Sequence, residues 1–223
     1  MSDLVKTVLS VQFAEAFHPW LELRELLRVA GDNPKMEVQG QPLVIDRKSR
    51  KQRVILEIRA LALQQEGAQS AKEAMDSALS LMSQMQEVVT IPKIAWLRYD
   101  GIFIESYTLP FHELVDFIKR SYLVINPLTE HATDVGVTLD QQDNEWVRHI
   151  QLGPMKASQL QSDFLAWPRD NLPQQFVFLS LGCMQIKEMV FDIDHIRQFL
   201  EDTINWQEKQ AQEILRYLHE RGV

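Results

Sequence analysis

The chain has 223 residues, 45% hydrophobic and 24% charged, with 8 Gly, 9 Pro and a formal charge of −8. That composition excludes a disordered or low-complexity chain, and its longest apolar runs fall short of the ~20 residues of a membrane span. The single cysteine, Cys183, excludes an intrachain disulfide and a thiolate metal cluster within the chain. No basic segment followed by an apolar one opens the sequence, so no signal peptide is expected and the cytoplasm is the expected location.

In chain order, residues 4–13 alternate as a strand. Pro19 then suits the first turn of a helix reaching Ala30, with Trp20, Leu23, Leu26 and Leu27 on one face. Strands are predicted over 36–46 and 52–63, separated by the basic run "RKSRKQR" at 47–53, which reads as a solvated hairpin loop. Gly67 and Ser70 introduce a long helix over 70–88, striped with Ala71, Met75, Ala78, Leu79, Met82 and Met85. A strand at 93–98 closes this unit as βαββαβ, the ferredoxin-like order.

The Asp-Gly of "YDGI" at 99–102 predicts a hairpin into a strand at 102–108. A helix at 111–123, strands at 133–140 and 145–153 and a weak helix at 157–165 follow. The last strand, 175–191, is long enough to bend or bulge near Gly182. A final helix, 195–220, carries Ile196, Phe199, Leu200, Thr203, Gln207, Ile214 and Leu218 along one side. Phe17-His18 and Phe111-His112 stand at equivalent corners, 94 residues apart, and the same offset matches Leu43 to Val137, Ile45 to Leu139 and Asp46 to Asp140. The expected fold is therefore α+β, a tandem of duplicated ferredoxin-like βαββαβ units over 1–100 and 101–194, with an extra C-terminal helix over 195–223.

Charge separates the two halves. Residues 1–100 carry 13 Lys+Arg and 13 Asp+Glu, whereas residues 101–223 carry 10 and 18. A surface so acidic repels phosphate backbones, and only Phe13 offers a stacking ring on the predicted sheet, so no nucleic-acid partner is expected.

The one constellation with the residue types for chemistry is "DIDH". Asp192, Asp194 and His195 place two carboxylates and an imidazole where a strand meets a helix, able to hold a divalent metal or act as acid and base. The competing reading is a helix cap, with Asp194 as N-cap. His149 falls on the more polar side of its strand, and His18 and His112 at their corners can bond nearby carbonyls. Cys183 reads as a small buried hydrophobe, with no sequence neighbour to lower its pKa. No phosphate loop, zinc-ligand spacing or nucleophile elbow is present, so no catalytic residue and no cofactor is assigned.

The layout resembles a scattered group of bacterial proteins of similar size, through "VLSVQF", "LRYDGIFIE", "FHELVDFI", "VFDIDHIRQF" and a final helix ending "ILRYLHE". That resemblance implies a fold and carries no activity. The function expected from the residues is a non-catalytic interaction or scaffold module whose partner is a second copy or another protein. The alternatives are a small-ligand binder with a cleft between two sheets, and a metal-dependent enzyme built on Asp192, Asp194 and His195.

Overall fold

Period-two alternation governs the first half of the chain. In the computed structural model, which describes residues 3–17, 42–123 and 132–220, β1 (Asp3–Phe13) buries every second side chain from Val5 to Phe13. β2 (Leu43–Arg47), β3 (Gln52–Glu57) and β4 (Ala60–Glu66) repeat that alternation. One face of these strands meets a core and the other meets solvent. The remaining strands are β5 (Ile94–Ser106), β6 (Val137–Asp143), β7 (Trp146–Lys156) and β8 (Gln175–Met189). All eight belong to one antiparallel sheet, in the order β2-β3-β4-β1-β5-β8-β7-β6.

Four α-helices are present among the described residues: α1 (Ala71–Val88), α2 (Phe111–Tyr122), α3 (Ala157–Asp163) and α4 (Ile193–Glu220). Ser70 caps α1, its Oγ accepting from the Glu73 amide at 3.1 Å, while Glu73 Oε2 accepts from the Gln69 amide at 2.7 Å. The predicted stripe of α1 is buried throughout. Met82 and Met85 have no exposed surface, each worth ~1.5–3 kcal/mol of burial. They pack with Leu9, Ile45, Val54 and Leu63 on one sheet face, and Phe199 and Leu200 of α4 join the same core. A second cluster on Phe103, Leu114, Ile118 and Leu181 unites α2, α4 and the second half of the sheet. α3 and the chain after it cover a third, smaller core on Val5, Ile102, Ile104, Phe176 and Phe178.

Three expectations are corrected here. Asp100-Gly101 makes no hairpin, because β5 is one continuous 13-residue strand through it. The glycine is needed for another reason: a Cβ there would stand 2.8 Å from the Phe103 ring and 2.9 Å from Gln207 Oε1. The predicted strand 52–63 is two strands, broken at Ile58-Arg59, which pair with each other as a hairpin. No register shift falls at Gly182; the irregularity between β5 and β8 lies between the pairs Ile94–Met189 and Trp96–Ile186.

The tandem of ferredoxin-like units is not confirmed. In a split βαβ unit the first strand lies between the third and the fourth, whereas here β8 lies between β5 and β7. His18 and the helix expected to reach Ala30 lie outside the described residues, as does most of the strand expected over 36–46.

Candidate functional site

The β8–α4 corner holds "DIDH". Asp192 immediately precedes α4; its carbonyl accepts from the Ile196 amide at 3.0 Å, and its Oδ1 accepts from the Asp194 amide at 3.0 Å. The cap is thus Asp192, and Asp194 is a first-turn carboxylate favoured by the helix dipole. This corrects the placement of the cap on Asp194: the helix starts two residues earlier than its apolar stripe suggests. His195 turns away from both, its Nε2 lying 3.2 Å from Gln185 Oε1. Gln185 is buried and donates to Glu145 Oε1 at 3.2 Å, and Glu145 pairs with Lys187 at 3.1 Å. The Lys187 and Gln185 hydrogen bonds hold the Glu145 carboxyl below its usual range. The three "DIDH" side chains are each committed to separate partners or to solvent. Among the described residues no group of three His, Cys, Asp or Glu is placed to hold a metal ion.

The basic run divides in two. Arg47 is buried and donates to Gln52 Oε1 at 2.6 Å. Arg53 makes a two-pronged bond to Asp46, at 2.6 and 3.0 Å, and that bond raises its pKa. Only Lys48, Arg50 and Lys51 project into solvent from the 3-10 turn over Lys48–Arg50 and the residue after it.

The sheet face opposite α1 and α4 carries a feature that was only partly anticipated. Cross-strand register sets Asp46, Arg53, Gln64, Val8, Asp100, Gly182, His149 and Asp140 in one row across all eight strands. The charges in this row are paired within it or with an immediate neighbour. Arg98 grips Asp100 with both prongs, at 2.8–3.1 Å, and that bond raises the Arg98 pKa. His149 Nδ1 lies 2.6 Å from Asp140 Oδ1. Gly182 makes room for this arrangement, because a Cβ there would collide with the Asp100 carboxylate. The adjacent row is Val44, Ile55, Ala62, Ser10, Arg98, Met184, Val147 and Gln142; five of these eight side chains are apolar and half-exposed. Trp96 and Ile186 pair in the row beyond, and Ile186 is 49% exposed. The alternation Arg98/Asp100 is visible in the sequence; its place beside Gly182, which pairs with His149 on the next strand, is not.

The remaining candidates fall in the core or apart from one another. Phe13 is buried against Phe17, with ring centroids 5.0 Å apart, so it cannot stack on a base. Cys183 is buried under α4, and that burial pushes its thiol up to about 11, although the nearby Thr203 and Arg148 pull the other way. Arg148 is the basic neighbour that sequence adjacency did not reveal; it also lies over the Trp206 ring at 5.7 Å. His112 is exposed at the start of α2, 3.9 Å from Glu113.

Glu66 anchors the segment after α3. It is buried, accepts from the Ala166 and Trp167 amides at 2.8 and 3.3 Å, and stands 3.7 Å from Lys6 Nζ. Lys6 in turn donates to the Phe164 carbonyl at 2.6 Å. Burial lowers the Lys6 pKa and the nearby Glu66 opposes that shift. Among the described residues, no helix is long and apolar enough to cross a membrane.

No protein-family model matches this chain, and no curated protein matches it in sequence.

Proposed function

We propose that the protein is a non-catalytic interaction module that self-associates by packing the open face of its sheet against the same face of a second copy. The observation that carries this reading is the pair of neighbouring rows on that face. One is mostly apolar and half-exposed, and the other has its charges paired within the chain. Elsewhere a chain of charge −8 repels its own copies. On this face the Asp46–Arg53 and Arg98–Asp100 pairs cancel locally, so an identical surface meets little repulsion.

α3 and the chain after it cover this face around Ile102, Phe176 and Phe178, and Trp167 lies over Arg53, so the open part is smaller than the ~800 Å² per partner of a standard interface and suits a weak, concentration-dependent dimer. A metal-dependent enzyme is the weaker reading, because Asp192 and His195 are held by different partners.

Sedimentation velocity from about 1 to about 100 μM tests the proposal. A concentration-dependent dimer is expected, and the Ile55→Arg and Met184→Arg variants should shift it to monomer. A wild type that stays monomeric throughout, or a dimer indifferent to both substitutions, would refute it.

A further inference from the structure

The segment 157–174 joins β7 to β8 through α3 and lies across the same sheet face as the proposed interface. Its two ends meet. Lys156 pairs with Gln175, and the Ala157 amide donates to the Gln174 carbonyl at 3.1 Å, so the pairing of β7 with β8 runs unbroken to its base. Pro168 and Pro173 lack the amide that a ladder needs, and after Asp163 the segment forms no helix or strand. Leu160 is its only residue buried outright. The floor beneath it is the reverse: Val5, Ile102, Ile104, Phe176 and Phe178 are all buried.

Polar contacts hold the far end of the segment. Glu66 accepts from the Ala166 and Trp167 amides, Lys6 donates to the Phe164 carbonyl, and Arg169 Nη1 reaches the Leu4 carbonyl at 3.5 Å. The Trp167 ring lies 5.5 Å from the Arg53 guanidinium carbon. Phe164 meets Phe178, with ring centroids 4.9 Å apart, but stays half-exposed, as do Leu165 and Leu172. When the segment lifts, water replaces the polar partners, and Lys6 and Glu66 regain hydration that burial denies them. An element with one buried apolar anchor and a few polar latches belongs to the low-stability end of a fold.

We infer that this flap is an autoinhibitory cover on self-association: it closes over part of the dimer surface, and a second copy that displaces it gains the floor. The inference rests on the self-association proposed above. Ile102, Phe176 and Phe178 share the face of Asp100 and Gly182, so lifting the flap joins the floor to the open rows as one larger surface. A second copy that binds the open form more tightly draws the flap open, and the apparent affinity scales with the fraction already open.

The test joins hydrogen exchange, read by mass spectrometry, to sedimentation velocity on the full chain. At about 1 μM, the amides of 164–172 should exchange faster than those of β5 and β8. Glu66→Ala and Arg169→Ala, each with the native circular dichroism spectrum, should quicken that exchange and leave β5 and β8 unchanged. The dimer dissociation constant should fall about tenfold or more in Glu66→Ala, and in the same direction in Arg169→Ala. Adding Ile55→Arg to Glu66→Ala should restore the monomer. By linkage, exchange of 164–172 in the wild type should quicken as concentration rises to about 100 μM. The inference alone is overturned if the flap exchanges no faster than β5 and β8, if it opens without tightening the dimer, or if the Glu66→Ala dimer survives Ile55→Arg. Monomers at every concentration, in wild type and variants alike, overturn the self-association itself.

Discussion

Gly101 and Gln207 meet where α4 crosses the sheet. A Cβ on Gly101 would lie 2.9 Å from Gln207 Oε1, while Gln207 Nε2 donates to the Leu181 carbonyl at 2.7 Å and approaches the Tyr99 carbonyl at 3.4 Å. The buried amide thus ties the helix to the backbone of β5 and β8, and only a residue without a side chain leaves it space. Gly101→Ala should destabilise the fold by ~1–3 kcal/mol through overpacking. Gly136→Ala, where nothing lies within 4 Å of the added carbon, should stay within ~0.5 kcal/mol of wild type. Urea unfolding of both variants checks the contrast.

The same contact explains which parts of the fold the sequence disclosed. Apolar stripes at helical spacing were legible because burial itself selects them. The helices expected at 70–88, 111–123, 157–165 and 195–220 are found at Ala71–Val88, Phe111–Tyr122, Ala157–Asp163 and Ile193–Glu220. Asp-Gly misled because a glycine that admits a positive φ and a glycine that admits a neighbouring side chain look identical in one dimension. The rest of the paired row was hidden: Asp46 and Asp140 become neighbours of Arg53 and His149 only after register is set. "DIDH" was visible as a group, but which carboxylate caps depends on where the helix starts.

At that corner, Asp192→Ala should cost ~1 kcal/mol, and Asp192→Asn should cost little because its side-chain oxygen can still accept from the Asp194 amide. Asp194→Ala should cost less, ~0.3–1 kcal/mol, and that cost should shrink in high salt as the dipole interaction is screened. Adding Mg²⁺, Mn²⁺, Ca²⁺ or Zn²⁺ should not raise the melting temperature. A metal-dependent rise lost in both Asp192→Asn and Asp194→Asn would instead favour metal chemistry.

Nucleic acid should bind weakly at ~0.15 M salt. Arg47 and Arg53 are held by Gln52 and Asp46, which leaves Lys48, Arg50 and Lys51 as the solvated cations of the turn. Fluorescence anisotropy of labelled single-stranded RNA and duplex DNA should reveal no sub-micromolar binding. Such affinity, if abolished by replacing those three residues, would contradict the expectation.

Alkaline pH should loosen the first core. Burial pushes the Tyr99 phenol from 10 up to about 12. The folded-state value exceeds the unfolded one, so this contribution is complete below pH 10 and is lost as pH rises toward 12. The decline should amount to roughly 2–3 kcal/mol. Urea titrations between about pH 9 and about pH 12 should therefore show a shallower fall for Tyr99→Phe than for wild type.

The position of β1 bears on how the protein is made. β1 leaves the ribosome before both of its neighbours, β4 and β5, whose residues pair with it as far along as Ile104. Until that stretch has been synthesised, β1 has one side unfilled, and a nascent chain that stops short of Ile94 carries an open edge next to apolar Val8 and Val11. Glu66 must then wait a further hundred residues for Ala166 and Trp167. Folding of this sheet is thus expected to lag behind synthesis until the residues around Trp167 are available.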